Sequence, residues 1–315
     1  MKITLLDGHA ANPGDISWEA IQALGDLTVY ERTPSEKVLE RIGDSDIILL
    51  NKIKITRDII ARCPKLKYIG VLATGYNVVD TAACHEKGIV VTNIPAYSTD
   101  AVAQHVFAFI LAFTNRVAEH SASVHAGDWI KNPDFCYWLS PLTELSGKRL
   151  GIFGFGNIGQ KVARIAHALG MEVLIHTHSE KSYTGDEKNV PTEALFAESD
   201  FISLHAPLTD ETANLINEKT LALMKPSAIL INTARGGLVD EKALRKALDA
   251  NKIAGYAADV ILQEPMNADS PLYQARNCLL TPHIAWAAKE TRERLLRIAR
   301  ENIEAFLRGK PQNTV

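Results

Sequence analysis

Three ionisable residues in the second half of the chain each stand just past a strand-like apolar run. Arg235 follows Ile229-Leu230-Ile231-Asn232-Thr233-Ala234 and precedes two glycines. Glu264 follows Ala257-Ala258-Asp259-Val260-Ile261, and His283 follows Leu279-Leu280-Thr281-Pro282. A guanidinium fork at the carboxyl edge of a sheet binds a carboxylate through two parallel hydrogen bonds, which suits the anchoring of a small acid. A histidine with a carboxylate partner is the usual general acid or base, because its pKa lies near neutral pH. Singly, each residue has a structural explanation: an arginine closing a turn, a solvated glutamate, a structural histidine. Converging on one sheet edge, the three point to acid binding coupled to proton transfer.

A nucleotide signature precedes them. The apolar run Leu150-Gly151-Ile152-Phe153 enters Gly154-Phe155-Gly156-Asn157-Ile158-Gly159, and a helix-like pattern (Val162, Ile165, Ala166, Leu169) leaves it. In a G-x-G-x-x-G turn between strand and helix, Gly154 permits the tight turn and Gly156 lets the backbone approach a pyrophosphate. Gly159 lets helix and strand pack closely. Free N–H groups and the dipole at the helix N-terminus then favour phosphates.

The elements that must carry these residues alternate. Strand-like runs fall at residues 2–6, 27–30, 46–50, 66–72 and 89–93, with helix-like segments between them; Ser35 and Thr56 stand as N-caps. From Leu150 the alternation restarts, with strands at 149–153, 172–177, 200–205, 228–233, 253–258 and 278–281. Helices are expected at 157–169, 192–197, 212–223 and 240–250, and a long helical stretch from Thr99 to about His125. Near-continuous apolar strands alternating with helices imply α/β architecture, here two doubly wound parallel-sheet domains with a ligand cleft between them. The closing segment Lys289–Leu307 is amphipathic through Leu295, Ile298, Ala299, Ile303 and Phe306. It is expected to cross back onto the first domain, giving a discontinuous substrate domain (1–98 and 286–315) and a Rossmann cofactor domain (99–285).

Composition removes several classes. A chain of 315 residues with 34 basic and 37 acidic side chains has net charge 34 − 37 = −3, no footprint for nucleic acid or an anionic membrane. The four cysteines form no C-x-x-C pair, and the ten histidines form no metal-spaced cluster, so no metal is expected. A strand begins at once, without the layout of a signal peptide, and the longest apolar run is far short of the ~20 residues of a membrane span. A cytoplasmic protein is expected.

These pieces together resemble the D-isomer-specific 2-hydroxyacid dehydrogenases, over essentially the whole chain. The resemblance rests on residues 154–159, His205-Ala206-Pro207-Leu208-Thr209, residues 232–237, Asp259 with Glu264-Pro265, and Pro282-His283, in that order. Val71-Leu72-Ala73-Thr74-Gly75-Tyr76-Asn77, Phe135-Cys136-Tyr137-Trp138 and Trp286 resemble the glycerate dehydrogenase/hydroxypyruvate reductase branch. The resemblance implies that Arg235 grips the substrate carboxylate, His283 passes a proton to or from the C2 oxygen, and Glu264 holds the imidazole. It further implies substrate contacts from the backbone of Ala73, Thr74 and Gly75, with Asn51 and Lys52 nearby. The cofactor would lie along Thr99, Gly154, Gly156, Asn157, Ile158 and Gly159. It would continue past Ala206, Pro207, Thr212, Thr233 and Ala234 to Arg235, Asp259, His283 and Ala285.

Two departures and two alternatives accompany the resemblance. An NAD site usually places an acidic residue on the ribose about twenty positions past the turn, but Thr177 stands there, followed by His178, Ser179, Glu180 and Lys181. With Thr177, His178 and Ser179 lining the ribose, the cofactor is NAD or NADP, with NADP slightly favoured. Gln104 stands where many relatives carry Glu. The resemblance also implies a homodimer, with Trp138 near the partner. The leading function is reduction of hydroxypyruvate or glyoxylate to a D-2-hydroxy acid. A D-lactate or branched D-2-hydroxyacid dehydrogenase is the alternative within the class, and a nucleotide-sensing interaction protein is the alternative outside it.

Overall fold

The computed structural model of the chain describes residues 1–177 and 186–315. It divides into two compact units, Met1–Ser98 with Trp286–Val315, and Thr99–Ala285.

In the first unit, strands β1 (Lys2–Leu5), β2 (Asp26–Val29), β3 (Ile47–Leu50), β4 (Tyr68–Val71) and β5 (Val90–Thr92) form a parallel sheet. Their order, β2-β1-β3-β4-β5, is flavodoxin-like. Every residue of β3 and β4 is buried, as in a parallel sheet covered on both faces. Ile48, Leu50, Ile69 and Val71 face one core, while Ile47, Leu49 and Tyr68 face the other. The helix Lys289–Leu307 covers that second face through Leu295, Leu296, Ala299 and Ile303, and the Phe306 ring lies 4.9 Å from that of Tyr68. Thr56 caps its helix as expected, whereas Ser35 lies inside a short 3-10 turn that Pro34 introduces.

Among the described residues the second unit has seven parallel strands: β6 (Arg149–Phe153), β7 (Glu172–His176), β8 (Lys188–Asn189), β9 (Phe201–Leu204), β10 (Ile229–Asn232), β11 (Gly255–Ala258) and β12 (Cys278–Leu280). The order β12-β11-β10-β9-β6-β7-β8 is that of a dinucleotide-binding sheet with one strand added, and its switch point lies between β6 and β9. Leu150 and Ile152 face the helices Thr99–Thr114 and Asn157–Ala168, and Phe153 faces the opposite core with Leu195 and Phe196.

Three expectations are corrected here. Strand β8 has only two residues, too few to leave a period in the sequence. The helix expected at 212–223 starts at Glu218, because Asn217 and Thr220 form a reciprocal capping box there. The helical stretch beyond Thr99 is two helices, Thr99–Thr114 and Val117–His125, bent by 52° at a break where Arg116 takes φ +49°. No single helix among the described residues is long and apolar enough to cross a membrane.

Candidate active site

The glycine turn joins β6 to the helix Asn157–Ala168 at the switch point. Gly154 has φ +93°, and a Cβ there would lie 2.6 Å from the Ala206 nitrogen, so the loop after β9 packs directly on it. A Cβ on Gly159 would lie 2.5 Å from the Gly154 carbonyl oxygen. Gly156 is different: nothing lies within 4 Å of its Cβ position, which leaves open space over the turn. Gly156 is the N-cap of the helix, with no side-chain cap and no acidic residue in the first turn. The opening N–H groups of Asn157, Ile158 and Gly159 therefore remain available to an anion.

Further along the same edge, the Thr233 hydroxyl is buried without a hydrogen-bond partner among the described residues. A buried hydroxyl so left costs about 1–3 kcal/mol, and a bound amide or ribose would satisfy it. Open space over Gly156, uncapped N–H groups and this hydroxyl together fit a dinucleotide. Thr99 opens the helix beside the turn, and Asp100 is bridged to Lys161 at 2.8 Å. The hydroxyl of Thr212 donates to the Pro207 carbonyl at 2.7 Å and accepts the Thr209 N–H, which shapes the 206–212 loop. Thr177 follows β7 directly; His178 and Ser179 lie outside the described residues.

The chemistry-bearing side chains come from three successive strand ends. After β10, Asn232 accepts the Ala234 N–H at 3.0 Å and donates to the Arg235 carbonyl at 2.8 Å, turning the chain so that Arg235 is exposed. Any Cβ on the next residue, Gly236, would collide with the Ile261 backbone. The β10 and β11 loops are therefore pressed together. Beyond β11, Glu264 Oε1 accepts the Ile261 N–H at 3.2 Å, and its Oε2 lies 2.6 Å from His283 Nδ1. A carboxylate only accepts, so Nδ1 carries the proton.

Asp259 was expected along the cofactor, and its carboxylate is found beneath the histidine loop. It is 2% exposed; Oδ1 accepts from the Thr281 hydroxyl at 2.6 Å and the Ile284 N–H at 2.7 Å, and Oδ2 accepts the Ala285 N–H at 2.8 Å. His105, from the helix Thr99–Thr114, places Nε2 2.9 Å from the same threonine hydroxyl. Burial lowers the His105 pKa, against the opposing pull of Asp259. Ala285, also expected on the cofactor, is buried, with its N–H engaged in this clamp.

The candidates in the first unit lie at the ends of β3 and β4. Residues 73–75 form a loop whose peptide planes are fixed through their carbonyls. Leu72 O accepts from Asn51 Nδ2 at 2.6 Å, Ala73 O from the Ile94 N–H at 3.0 Å, and Thr74 O from Asn93 Nδ2 at 2.8 Å. In a trans peptide the N–H points opposite to the C=O, so the N–H groups of Ala73, Thr74 and Gly75 are all aimed away from these anchors. Asn51 itself is buried and ties two strand ends together, whereas Lys52 is exposed. Asp7, unremarked in the sequence, accepts the N–H groups of both at 2.7 Å. Burial pushes its carboxyl up, opposed by the N–H groups of Lys52, Asn51 and Ile53.

Residues 107–285 match the family model described as D-isomer specific 2-hydroxyacid dehydrogenase, NAD binding domain. The chain is 46% identical to a hydroxypyruvate reductase of Blautia hydrogenotrophica, over 100% of this chain and 99% of that protein. A glycerate dehydrogenase of Methylorubrum extorquens is 42% identical over 91% of this chain and 90% of its own. Among solved structures, an acyclic imino acid reductase in complex with NADPH and D-Arg superposes with a TM-score of 0.88 at 34% identity, with both chains fully covered. An NADPH-dependent glyoxylate/hydroxypyruvate reductase from Sinorhizobium meliloti, in complex with NADP and malonate, gives 0.83 at 28% identity, over 100% of this chain and 96% of its own.

Proposed function

Since the chain belongs to the D-isomer-specific 2-hydroxyacid dehydrogenase family and is an NAD(P)-dependent oxidoreductase, we propose that it reduces hydroxypyruvate and glyoxylate at C2, giving D-glycerate and glycolate. The observation that carries the mechanism is the 2.6 Å contact of His283 with Glu264 on the sheet edge that bears the glycine turn. The likeness to the Blautia hydroxypyruvate reductase supports the substrate.

The bound nicotinamide cofactor supplies the hydride. Arg235 holds the keto-acid carboxylate through its fork and polarises the C2 carbonyl. His283 Nε2 delivers its proton to the C2 oxygen and regains one from solvent; in the reverse direction it takes the hydroxyl proton. Glu264 fixes the ring and balances the charge of the protonated imidazole. Residues 73–75 offer their N–H groups to the substrate carboxylate. Chiral chromatography of the glycerate formed from hydroxypyruvate tests this reading: D-glycerate is expected, and the L enantiomer would refute it.

The preferred cofactor in this reading is NADP. Thr177 brings no carboxylate to repel a 2′-phosphate, and solved relatives include complexes with NADPH and NADP as well as with NAD. An NADH preference of about a hundredfold in kcat/KM, some 2.7 kcal/mol, would end it. The assembly is proposed as a homodimer. Val117, Trp129, Ile130, Phe135 and Trp138 are each at least half exposed within one short segment, a density that marks interaction surfaces. Sedimentation equilibrium decides between one copy and two. Four unpaired thiols accord with a cytoplasmic setting.

A further inference from the structure

The helix Lys289–Leu307 buries Thr291 and Arg292 in its first turn and, among the apolar residues further along, Asn302 completely. Asn302 is 0% exposed, close to Leu295, Ala299 and Ile303 in the helical repeat. An unpaired amide there would be destabilising, and both of its ends are used. Its Oδ1 accepts from Asn313 Nδ2 at 2.8 Å, and its Nδ2 donates to the Asn93 carbonyl at 3.0 Å. Asn93 in turn accepts and gives. Its backbone N–H donates to the Asn313 carbonyl at 3.1 Å, and its side chain donates to the Thr74 carbonyl at 2.8 Å. Residues 313–315 are zipped along the edge strand: Thr314 bridges Thr92 in antiparallel sense, and the Val315 N–H donates to the Val91 carbonyl at 3.0 Å. Asn313 takes φ +53°, a conformation asparagine tolerates better than most residues.

We propose that residues 313–315 are a latch that sets the substrate loop, acting through Asn302 and Asn93 on the peptide plane between Thr74 and Gly75. Asn93 holds the Thr74 carbonyl, and planarity then aims the Gly75 N–H in the opposite direction. The Thr74 hydroxyl donates to the Ile94 carbonyl at 2.8 Å, which closes the ring of bonds around the loop. Asn93 is thus a positioning residue for keto-acid binding, and residues 313–315 position Asn93. This rests on the reading that residues 73–75 bind the substrate carboxylate.

The test is steady-state kinetics on the enzyme with hydroxypyruvate and NADPH. Four variants are compared: Asn93→Ala, Asn313→Gly, removal of residues 313–315, and Gly75→Pro. One neutral hydrogen bond lost from the loop's support corresponds to about a fivefold rise in KM. Asn93→Ala and the truncation should each raise the keto-acid KM by about that factor, with Asn313→Gly smaller. Their kcat and NADPH KM should stay within about twofold of wild type. Gly75→Pro deletes one of the loop N–H groups outright. If it raises the keto-acid KM while Asn93→Ala and the truncation do not, the latch is wrong and the loop reading stands. If Gly75→Pro leaves that KM unchanged, the loop reading falls and the latch with it. A parallel loss of kcat and of NADPH binding in Asn93→Ala would mean general structural support, and would overturn the latch. Should the truncated chain fail to fold, Asn93→Ala and Asn313→Gly decide alone.

Discussion

His283 presents Nδ1 to Glu264 Oε2 at 2.6 Å from a backbone held at φ +56°. A non-glycine residue in that region stores strain of about 1–3 kcal/mol and persists only where its surroundings impose it. Here the imposing group is Asp259, whose carboxylate holds the two N–H groups that follow His283 in the chain. The imidazole is thereby fixed from both sides, by Glu264 at the ring and by Asp259 at the backbone.

Removing the ring should therefore stop proton transfer without abolishing binding. His283→Ala is expected to lower kcat about a hundredfold or more, with the NADPH dissociation constant nearly unchanged by fluorescence titration. Glu264→Gln should cost about tenfold in kcat, since it exchanges a charge-assisted bond for a neutral one. A near-normal kcat in His283→Ala would mean that another group donates the proton.

Arg235 makes a different prediction, on KM. Lysine keeps the charge but cannot form two parallel bonds, and a hydrogen bond to a charged group contributes about 1.5–3 kcal/mol. Arg235→Lys should thus raise the keto-acid KM by about tenfold or more, with the NADPH KM little altered. Initial-rate measurements with each substrate varied in turn check this.

Gly154→Ala should abolish cofactor binding. Its Cβ would lie 2.6 Å from the Ala206 nitrogen in a backbone of φ +93°, so steric overlap and strain act together. Loss of NADPH-dependent fluorescence with the fold retained by circular dichroism is the expected result.

Acid sensitivity of the second unit should depend on Asp200. Partial burial pushes its carboxyl up, but the Arg149 N–H at 2.9 Å and the Lys225 ammonium at 2.8 Å outweigh this and hold it below the ordinary value of 3.8. A carboxylate with a depressed pKa stabilises the fold fully above 3.8 and loses that contribution as pH falls through the folded value. Melting temperatures at pH 5 and pH 3 should differ less in Asp200→Asn than in wild type.

The two parallel sheets were legible in the sequence because buried strands such as Ile47–Leu50 and Ile229–Asn232 are continuous apolar runs, and the glycine turn is a local signature. The break at Arg116 and the capping box of Asn217 were not read, since each is a local polar choice inside a pattern that otherwise continues. At the site, residue types at strand ends drew attention to Arg235, Glu264 and His283. What could not be read was which polar atoms meet. Asp7 grips Asn51 and Lys52 from 44 and 45 positions away, and Asn302 reaches Asn93 across 209. Bonds between residues so distant have no period, and only the folded chain brings them together.

Substrate and cofactor are decided together by the parallel oxidation of NADPH and NADH by hydroxypyruvate, glyoxylate, pyruvate and 2-ketoisocaproate. The highest kcat/KM is expected with hydroxypyruvate or glyoxylate, at turnover near the typical ~10 s⁻¹, together with a preference for NADPH. A preference for pyruvate or 2-ketoisocaproate would contradict the substrate assignment. Tight cofactor binding with no turnover on any of the four acids would contradict the reductase itself.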